Sequence, residues 1–261
     1  MITPRFPFRL GATSFVYQAD LVGNARRLRG QVQDIELVLF DTPAASNLPD
    51  AATIAALAGL RDRADLSYTV HLPADVATAG RPDSTALAVQ VVRMARPLDP
   101  QGYVVHLSPP PQPWEAFAPA SPPAHLRVWL DAARGALEQL ARAAGGYEPL
   151  CLENLDGWPP ELLLSLLDAL PVNLCLDVGH LWRQGRDPLP YLADHLPRTR
   201  IIHLHGCSAD GTDHRSLAVR AEEDVRQVLR ALKDYRGVLT LEVFGLADFN
   251  TSLAALRKLW V

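Results

Sequence analysis

The amino-acid sequence predicts an α/β fold, a (β/α)8 TIM barrel formed as a single domain by residues 1–261. Eight short apolar runs alternate with amphipathic stretches along the chain. Strands that alternate with helices pair in parallel, and eight such units close into a barrel of about this length. An open doubly wound sheet is the alternative. Against it, the sequence after the first run is Thr13-Ser14-Phe15 and not a glycine-rich phosphate loop.

The predicted strands are short and rich in Val, Leu and Ile, which is typical of strands buried on both faces. They occupy residues 9–15, 34–40, 67–71, 102–107, 149–153, 172–177, 200–205 and 238–243.

The segments between the strands repeat apolar residues with the 3.6-residue period of an amphipathic helix. Leu21, Ala25 and Leu28 mark the first helix, and Asp20 is its expected N-cap. The later helices are marked by apolar positions within 54–58, 87–94, 126–140, 161–170, 191–195, 225–232 and 253–260.

Two connections are long, and both follow the carboxyl end of a strand, where barrel enzymes carry their active sites. Residues 108–124 are crowded with proline and are expected to form a stiff lid. Residues 206–219 are polar.

Composition limits the classes of partner. The formal net charge is −4 and there is no basic run, so a general nucleic-acid surface is not expected. No apolar stretch is long enough to span a membrane, and residues 1–9 lack the apolar core of a signal peptide. We therefore expect a cytoplasmic protein that binds neither nucleic acid nor membrane, with its oligomeric state left open.

Histidines and carboxylates end six of the predicted strands, and one more histidine lies in the loop after the seventh. The set is His71, His106, Glu153, Asp177, His180, His203, His205, His214 and Glu242. In a barrel these strand ends open on one face, so we expect the side chains to converge. A buried carboxylate or imidazole is costly unless it is paired or ligated. The pattern therefore predicts a divalent-metal site, most simply for zinc, although manganese or iron also accept nitrogen and oxygen ligands.

Individual members of this set have simpler interpretations when taken alone. A lone buried histidine is more often hydrogen-bonded in a core than bound to a metal, and Glu153 alone could form a structural ion pair. Glu36 either points into the barrel or faces solvent, and His205 either belongs to the site and contacts substrate or does not. Cys151 and Cys175 precede Glu153 and Asp177 by two residues, so they are predicted to pack in the core beneath the site.

Besides His205, four residues are candidates for binding substrate. Trp158 and Trp182 follow the fifth and sixth strands and could stack on a flat molecule, with simple packing as the alternative. Arg183 and Arg215 are candidates for phosphate contacts, with a solvated surface role as the alternative.

The strand ends resemble those of the xylose isomerase-like barrels, the superfamily that includes endonuclease IV. The resemblance implies that Glu153, Asp177, His203 and Glu242 hold one metal. It also implies that His71, His106 and Glu153 hold a second, bridged by Glu153, and that His180 and His214 hold a third. One position departs from the endonuclease pattern: Thr212 stands where an aspartate is expected two residues before His214. Asp213 or Asp210 could replace that aspartate.

The N-terminal half resembles a narrower family, the cobamide-remodelling phosphodiesterases. The motifs are Gly-Ala-Thr-Ser-Phe-Val-Tyr at 11–17, Asp-Ile-Glu-Leu-Val-Leu-Phe at 34–40, Asn-Leu-Pro-Asp at 47–50, Tyr-Thr-Val-His-Leu-Pro at 68–73 and Arg-Pro-Leu-Asp-Pro at 96–100. This resemblance implies a corrinoid substrate of the vitamin B12 type, whose nucleotide-loop phosphodiester is hydrolysed to cobinamide phosphate and a riboside.

The expected chemistry is hydrolysis with two or three zinc ions, because clustered metals activate water and clamp an in-line displacement. Glu153 is expected to bridge metals and hold the nucleophilic water, with Glu242 or Glu36 as base. A single-metal sugar isomerase or epimerase is the main rival, but it leaves His106 and His214 unexplained. DNA repair at abasic sites and non-catalytic binding of a corrinoid or a metal are weaker rivals.

Overall fold

The computed structural model describes residues 5–77, 83–110 and 123–260, and within them eight parallel strands close into a barrel in chain order. The predicted fold is therefore confirmed. The strands are β1 (Arg9–Thr13), β2 (Asp34–Val38), β3 (Ser67–His71), β4 (Tyr103–Val105), β5 (Leu150–Glu153), β6 (Asn173–Asp177), β7 (Thr199–Leu204) and β8 (Val238–Leu241).

Helices surround the barrel and cover it with their apolar faces. They are α1 (Leu21–Leu28), α2 (Ala51–Arg61), α3 (Asp83–Ala95), α4 (Ala124–Ala144), α5 (Glu161–Ala169), α6 (Val178–Arg183), α7 (Pro188–His195), α8 (Glu222–Ala231) and α9 (Leu246–Leu259). The Asp20 carboxylate caps α1 by accepting the Gly23 N–H at 2.6 Å, as the sequence predicted. In the described parts of the chain, no helix combines the length and apolar character needed to cross a bilayer.

Helix α6 is the element that the sequence did not predict. It contains His180, which the sequence pattern places at the end of the sixth strand. Six residues are too few to show a 3.6-residue period, so no periodic signal marks this helix in the sequence.

The barrel interior is built in layers. One layer is fully buried and consists of Val104, Cys151, Cys175 and Ile201. Side chains two residues apart on a strand share a face, so the next inward residues on these four strands are His106, Glu153, Asp177 and His203. Burial raises the pKa of the Cys151 thiol to about 12, so this thiol remains a neutral packing group. The predicted place of the two cysteines beneath the site is confirmed.

A buried carboxylate, Asp34, lies deeper in the barrel on β2. Its Oδ2 accepts a hydrogen bond from Ser67 Oγ at 2.6 Å, and Ser67 Oγ in turn accepts one from Arg9 Nε at 2.9 Å. Burial raises the pKa of Asp34 to about 6, although hydrogen bonds from Ser67 and Thr69 oppose the shift. The ionised form is therefore disfavoured in the folded protein.

Replacement of Asp34 by Asn should change how stability depends on pH. Because the folded protein holds the Asp34 proton up to about pH 6 and the unfolded chain only to about pH 4, stability of the native sequence falls as the pH rises through this window. The native protein should lose up to about 3 kcal/mol relative to D34N between pH 4 and pH 7. Urea unfolding at each pH measures this difference. D131N, at an exposed α4 residue, is the control, and parallel pH curves for native protein and D34N would contradict the prediction.

Candidate metal centre

Glu153, at the end of β5, lies at the centre of the barrel mouth and is 1% exposed. Its Oε2 atom is 2.7 Å from His106 Nε2 and 3.5 Å from His71 Nε2. Its Oε1 atom is 3.4 Å from His203 Nδ1 and 3.6 Å from His180 Nδ1. One carboxylate therefore contacts four imidazoles that come from different elements.

Two further carboxylates lie on the far side of His203. Its Nδ1 atom is 3.2 Å from Glu242 Oε2 and 3.8 Å from Asp177 Oδ2. Glu153, Asp177, His203 and Glu242 each place one donor atom within 4.8 Å of the others, and so do His71, His106 and Glu153. Glu153 belongs to both groups, which is the arrangement that the sequence resemblance implied.

The third group consists of His180, His205 and His214, whose donor atoms also lie within 4.8 Å of one another. His214 Nε2 is 3.4 Å from Glu242 Oε2, so this group adjoins the carboxylates. The structure thus brings together all eight residues that the sequence nominated as ligands. It adds His205, which the sequence analysis assigns to substrate binding.

The histidines share a pattern that is typical of metal ligands. A metal-binding imidazole usually donates its other N–H to a carboxylate or a backbone carbonyl, which fixes the ring. Five rings direct one nitrogen at the inner carboxylates and rest the other on an outer oxygen. The outer pairs are His71 Nδ1 with Leu72 O (3.2 Å), His106 Nδ1 with Asp75 Oδ1 (3.3 Å), His203 Nε2 with Glu36 Oε2 (2.8 Å), His205 Nδ1 with Gly206 O (3.2 Å) and His214 Nδ1 with Asp213 Oδ1 (3.0 Å).

Glu36 faces the barrel interior and is fully buried, so the solvent-facing alternative is not what the structure shows. Its carboxylate contacts Nε2 of His203, whereas Nδ1 of the same ring faces the inner carboxylates. Glu36 therefore lies behind His203 and orients it. This position suits a residue that holds the His203 ring in place. It suits less well the role of catalytic base, which the sequence analysis offered as one possibility for Glu36.

The spacing of Asp177 and His180 follows from a helix cap. Asp177 ends β6, and its Oδ1 accepts the backbone N–H of His180 at 2.7 Å, which begins α6. The Asn154 amide accepts the N–H of Asp177 at 2.8 Å and donates to its carbonyl at 2.9 Å. These contacts fix both residues next to Glu153. Asn154 was missed from the sequence, although it follows Glu153 directly.

Buried donor atoms converge in this cavity. Within the described residues, Glu153 Oε1, Asp177 Oδ2, His203 Nδ1, His205 Nε2 and Glu242 Oε2 have no hydrogen-bond partner. Burial acts to raise the pKa of Glu153, but the charges of His106 and His203 outweigh it and hold that pKa well below its usual range. A divalent cation would replace the imidazole protons as the balancing positive charge and would bind these partnerless oxygen and nitrogen atoms.

The predicted substrate-binding tryptophans differ in exposure. Trp182 is 9% exposed, and the Arg220 guanidinium lies over its ring, 4.8 Å from the ring centroid. The structure therefore shows Trp182 in a packing role, which was the alternative to substrate binding. Trp158 is half-buried, next to the turn that follows β5.

Both candidate arginines contact carboxylates. Arg183 pairs with Asp213 and, at 3.1 Å, with Asp156, while Arg215 Nε is 3.4 Å from Asp248 Oδ2. A phosphate contact would compete with these ion pairs.

Of the two long loops predicted from the sequence, the structure describes the second but not most of the first. Most of the predicted proline-rich lid falls on residues 111–122, which lie outside the described residues. In the loop after β7, Asp210 is exposed and accepts hydrogen bonds from Ser208 Oγ (2.6 Å) and Thr212 N (3.0 Å). Asp213 supports His214 from outside. Neither aspartate contacts the three-histidine group in the way a substitute ligand for the missing acid would.

An aromatic patch formed by Phe15, Phe40 and Phe244 borders the metal centre. The Phe15 ring lies 6.2 Å from each of the other two rings, and Phe244 lies 5.0 Å from the His214 ring. Phe15 is 37% and Phe244 47% exposed. The sequence did not reveal this patch, because an apolar residue at the end of a buried strand resembles a core residue.

Comparison with known proteins agrees with this architecture. A family model described as a xylose isomerase-like TIM barrel matches residues 32–259. The structure is similar to that of a D-tagatose 3-epimerase-like protein (TM-score 0.72, 19% identity, 97% of each chain covered). It is also similar to endonuclease IV from Thermus thermophilus (TM-score 0.63, 20% identity, 96% of this chain and 99% of that one).

One curated relative is an inosose dehydratase from Bacillus thuringiensis, which is 30% identical over 90 residues. The match spans 34% of this chain and 28% of the relative.

Fold and site together define a (β/α)8 barrel whose mouth carries groups of histidines and carboxylates suited to divalent metals. The chain belongs to the xylose isomerase-like TIM-barrel family.

Removal of the Glu36 charge should weaken metal binding without removing a ligand. In E36Q the partner that orients His203 becomes neutral, so we expect zinc affinity to fall by about 10–100-fold. Competition with a chromophoric chelator measures the affinity. E138Q, at an exposed residue of α4, is the matched control. Equal affinities for E36Q and the native protein would refute the role assigned to Glu36.

Proposed function

We propose that this protein is a metal-dependent phosphodiesterase that hydrolyses the nucleotide-loop phosphodiester of cobamides, yielding cobinamide phosphate and a riboside for cobamide salvage. The observation that carries the hydrolase assignment is Glu153, which is shared by the group with His71 and His106 and the group with Asp177, His203 and Glu242. A shared carboxylate supports a pair of neighbouring cations, and paired cations suit in-line displacement at phosphorus. The cobamide assignment rests on the N-terminal sequence motifs.

The residues of the site have distinct tasks in this proposal. His71, His106 and Glu153 would hold one cation, and Asp177, His203, Glu242 and the same Glu153 the second. Bound zinc would polarise the phosphoryl oxygens and lower the pKa of a water. Glu153 lies between the two groups and would orient that water.

Glu242 is the residue best placed to take up the proton. Its Oε2 atom is 3.4 Å from His214 Nε2, on the side of the site that carries the loop after β7. Burial raises the pKa of Glu242, but the neighbouring His203 outweighs this effect and holds the pKa well below its usual range. Glu242 is therefore ionised, as a metal ligand and a proton acceptor must both be, and its low pKa makes it a weak base. Glu36, behind His203, would orient that ring.

The aromatic patch supports a substrate with a broad apolar face. Exposed aromatic side chains beside a polar site bind flat molecules by apolar contact and stacking. Phe15 and Phe40 fall within two of the motifs that resemble the cobamide-remodelling family. The patch would hold the corrin ring while the phosphodiester reaches the cations.

The alternative function is a single-metal sugar isomerase or epimerase. It is favoured by the compact group of Glu153, Asp177, His203 and Glu242, which would suffice for one cation. Two carboxylates around that cation would transfer a proton at carbon. One tightly bound ion per chain would favour this alternative, whereas two or three favour hydrolysis.

The zinc-loaded protein should convert a complete cobamide to cobinamide phosphate and a riboside, detected by mass. E153Q should lower kcat/KM by at least ~100-fold, because even partners outside the ligand shell contribute 10–100-fold to activity. The control is E138Q, which should match the native protein. Absence of cleavage, together with turnover of a ketose, would support the isomerase instead.

Truncation of the aromatic patch should affect the large substrate selectively. F15A and F244A should each raise KM for a cobamide about tenfold, which is the cost of losing part of an aromatic contact, with kcat little changed. Hydrolysis of bis(p-nitrophenyl) phosphate, a small diester, is the comparison. V128A, at an exposed α4 residue, is the control variant. An equal loss on both substrates would argue against substrate recognition by the patch.

A further inference from the structure

The three-histidine group (His180, His205 and His214) lacks the acidic ligand of the endonuclease pattern. In the endonuclease pattern its cation is held by two histidines and an aspartate, but Thr212 occupies the aspartate position and is exposed. Asp210 and Asp213 bond elsewhere, to Ser208 and Thr212 N–H and to Arg183 and His214. Two histidines alone make a weak site, so a third ligand must come from another element.

His205, on the strand end of β7, is the side chain that the structure brings there. It is fully buried, and its Nε2 atom has no hydrogen-bond partner among the described residues. Its ring centroid is 5.6 Å from that of His180 and 4.4 Å from that of His214. Its Nδ1 atom is 3.2 Å from Gly206 O, which leaves Nε2 for a cation.

Gly179 is shaped for this ring. A Cβ atom at that position would lie 2.2 Å from His205 Cε1 and Nε2, which no side chain tolerates. The glycine in Leu-Asp-Val-Gly-His therefore makes room for His205 between Asp177 and His180.

His214 is the adjustable member of the group. It lies in a loop, is 22% exposed, and has a φ of 51°, which is uncommon for a residue other than glycine. Its ring is stacked on His205 with an interplanar angle of 19°, and its backbone N–H donates a hydrogen bond to His205 Nδ1 at 3.1 Å. For Nε2 of His205 to coordinate, its Nδ1 must carry the proton and donate to Gly206 O, so the hydrogen bond from the His214 backbone N–H must be released as a cation binds.

We propose that His205 is a direct ligand of a third cation, held by the imidazoles of His180, His205 and His214 in place of the acid that Thr212 replaces. This proposal rests on the metal binding proposed above but not on the substrate. Three neutral nitrogen donors favour zinc or cobalt over manganese or magnesium, which prefer oxygen. Because none of these three ligands carries a negative charge, the cation would keep its full positive charge, and it would lie close to the Glu242 carboxylate.

The test is a count of bound metal in native protein, H205A, G179A and the double variant H205A/T212D. Each protein is loaded with zinc, passed through gel filtration and analysed by elemental mass spectrometry, with circular dichroism to check folding. H195A, at the end of α7, is the control. We expect three zinc ions per chain in the native protein and H195A, and two in H205A and G179A. The double variant should recover the third, because its new aspartate restores the endonuclease ligand set.

Manganese should fill only the two carboxylate-containing groups. Cobalt-loaded native protein gives a readout that needs no variant: six exchangeable imidazole N–H resonances shifted by the metal, from His71, His106, His180, His203, His205 and His214.

Three outcomes would overturn the proposal. Retention of three ions by H205A would remove His205 from the ligand set, as would five shifted imidazole signals. Only two ions in the native protein would remove the site itself. Loss of a carboxylate-held ion in H205A would mean that His205 acts by positioning Asp177, whose Oδ1 atom is 3.3 Å from His205 Nε2. None of these outcomes depends on turnover of a cobamide, so they are separate from a failure of the proposed function.

Discussion

The structure depends on one constraint, the burial of the Glu153 carboxylate in the mouth of the barrel. An ionised group that is 1% exposed is very costly unless charges surround it. Imidazoles from β3, from the residue that follows β4, from α6 and from β7 approach its two oxygens. Three of them, His71, His106 and His203, are in turn fixed by an oxygen farther out on their other ring nitrogen. The mouth is therefore a single network, in which the position of any ligand depends on residues that never touch the central carboxylate.

Strand geometry explains why this network can form in a stable barrel. Two-residue spacing along four neighbouring strands places a dry layer of small side chains directly beneath a layer of ligands. The lower layer supplies the packing and the upper layer supplies the chemistry. Asp177 links the two tasks: one of its oxygens begins α6, while the other faces the site. The same residue therefore stabilises a local fold and offers a ligand.

Much of this could be predicted from the sequence, and the exceptions have physical reasons. The alternation of strands and helices is strong over eight units, and the ligands end strands, so both were visible as patterns. Helix α6 is too short to show a period. The roles of Glu36 and His205 depend on which side chains they contact, and these contacts join residues distant in sequence, such as Glu36 and His203, which are 167 positions apart. Phe244 looks like a core residue until its exposure is known.

The balance of charge at the mouth connects these details to the proposed chemistry. Three carboxylates face inward, and a third cation held by imidazoles alone would add positive charge with no further carboxylate to offset it. The outer carboxylates Glu36, Asp75 and Asp213 neutralise part of this charge, but they do so from behind the histidines. An excess of positive charge in a dry cavity attracts a phosphodiester monoanion more strongly than a neutral sugar. With the third cation held as proposed, the replacement of an acid by Thr212 would shift the electrostatics of the site toward an anionic substrate, in keeping with the proposed hydrolase.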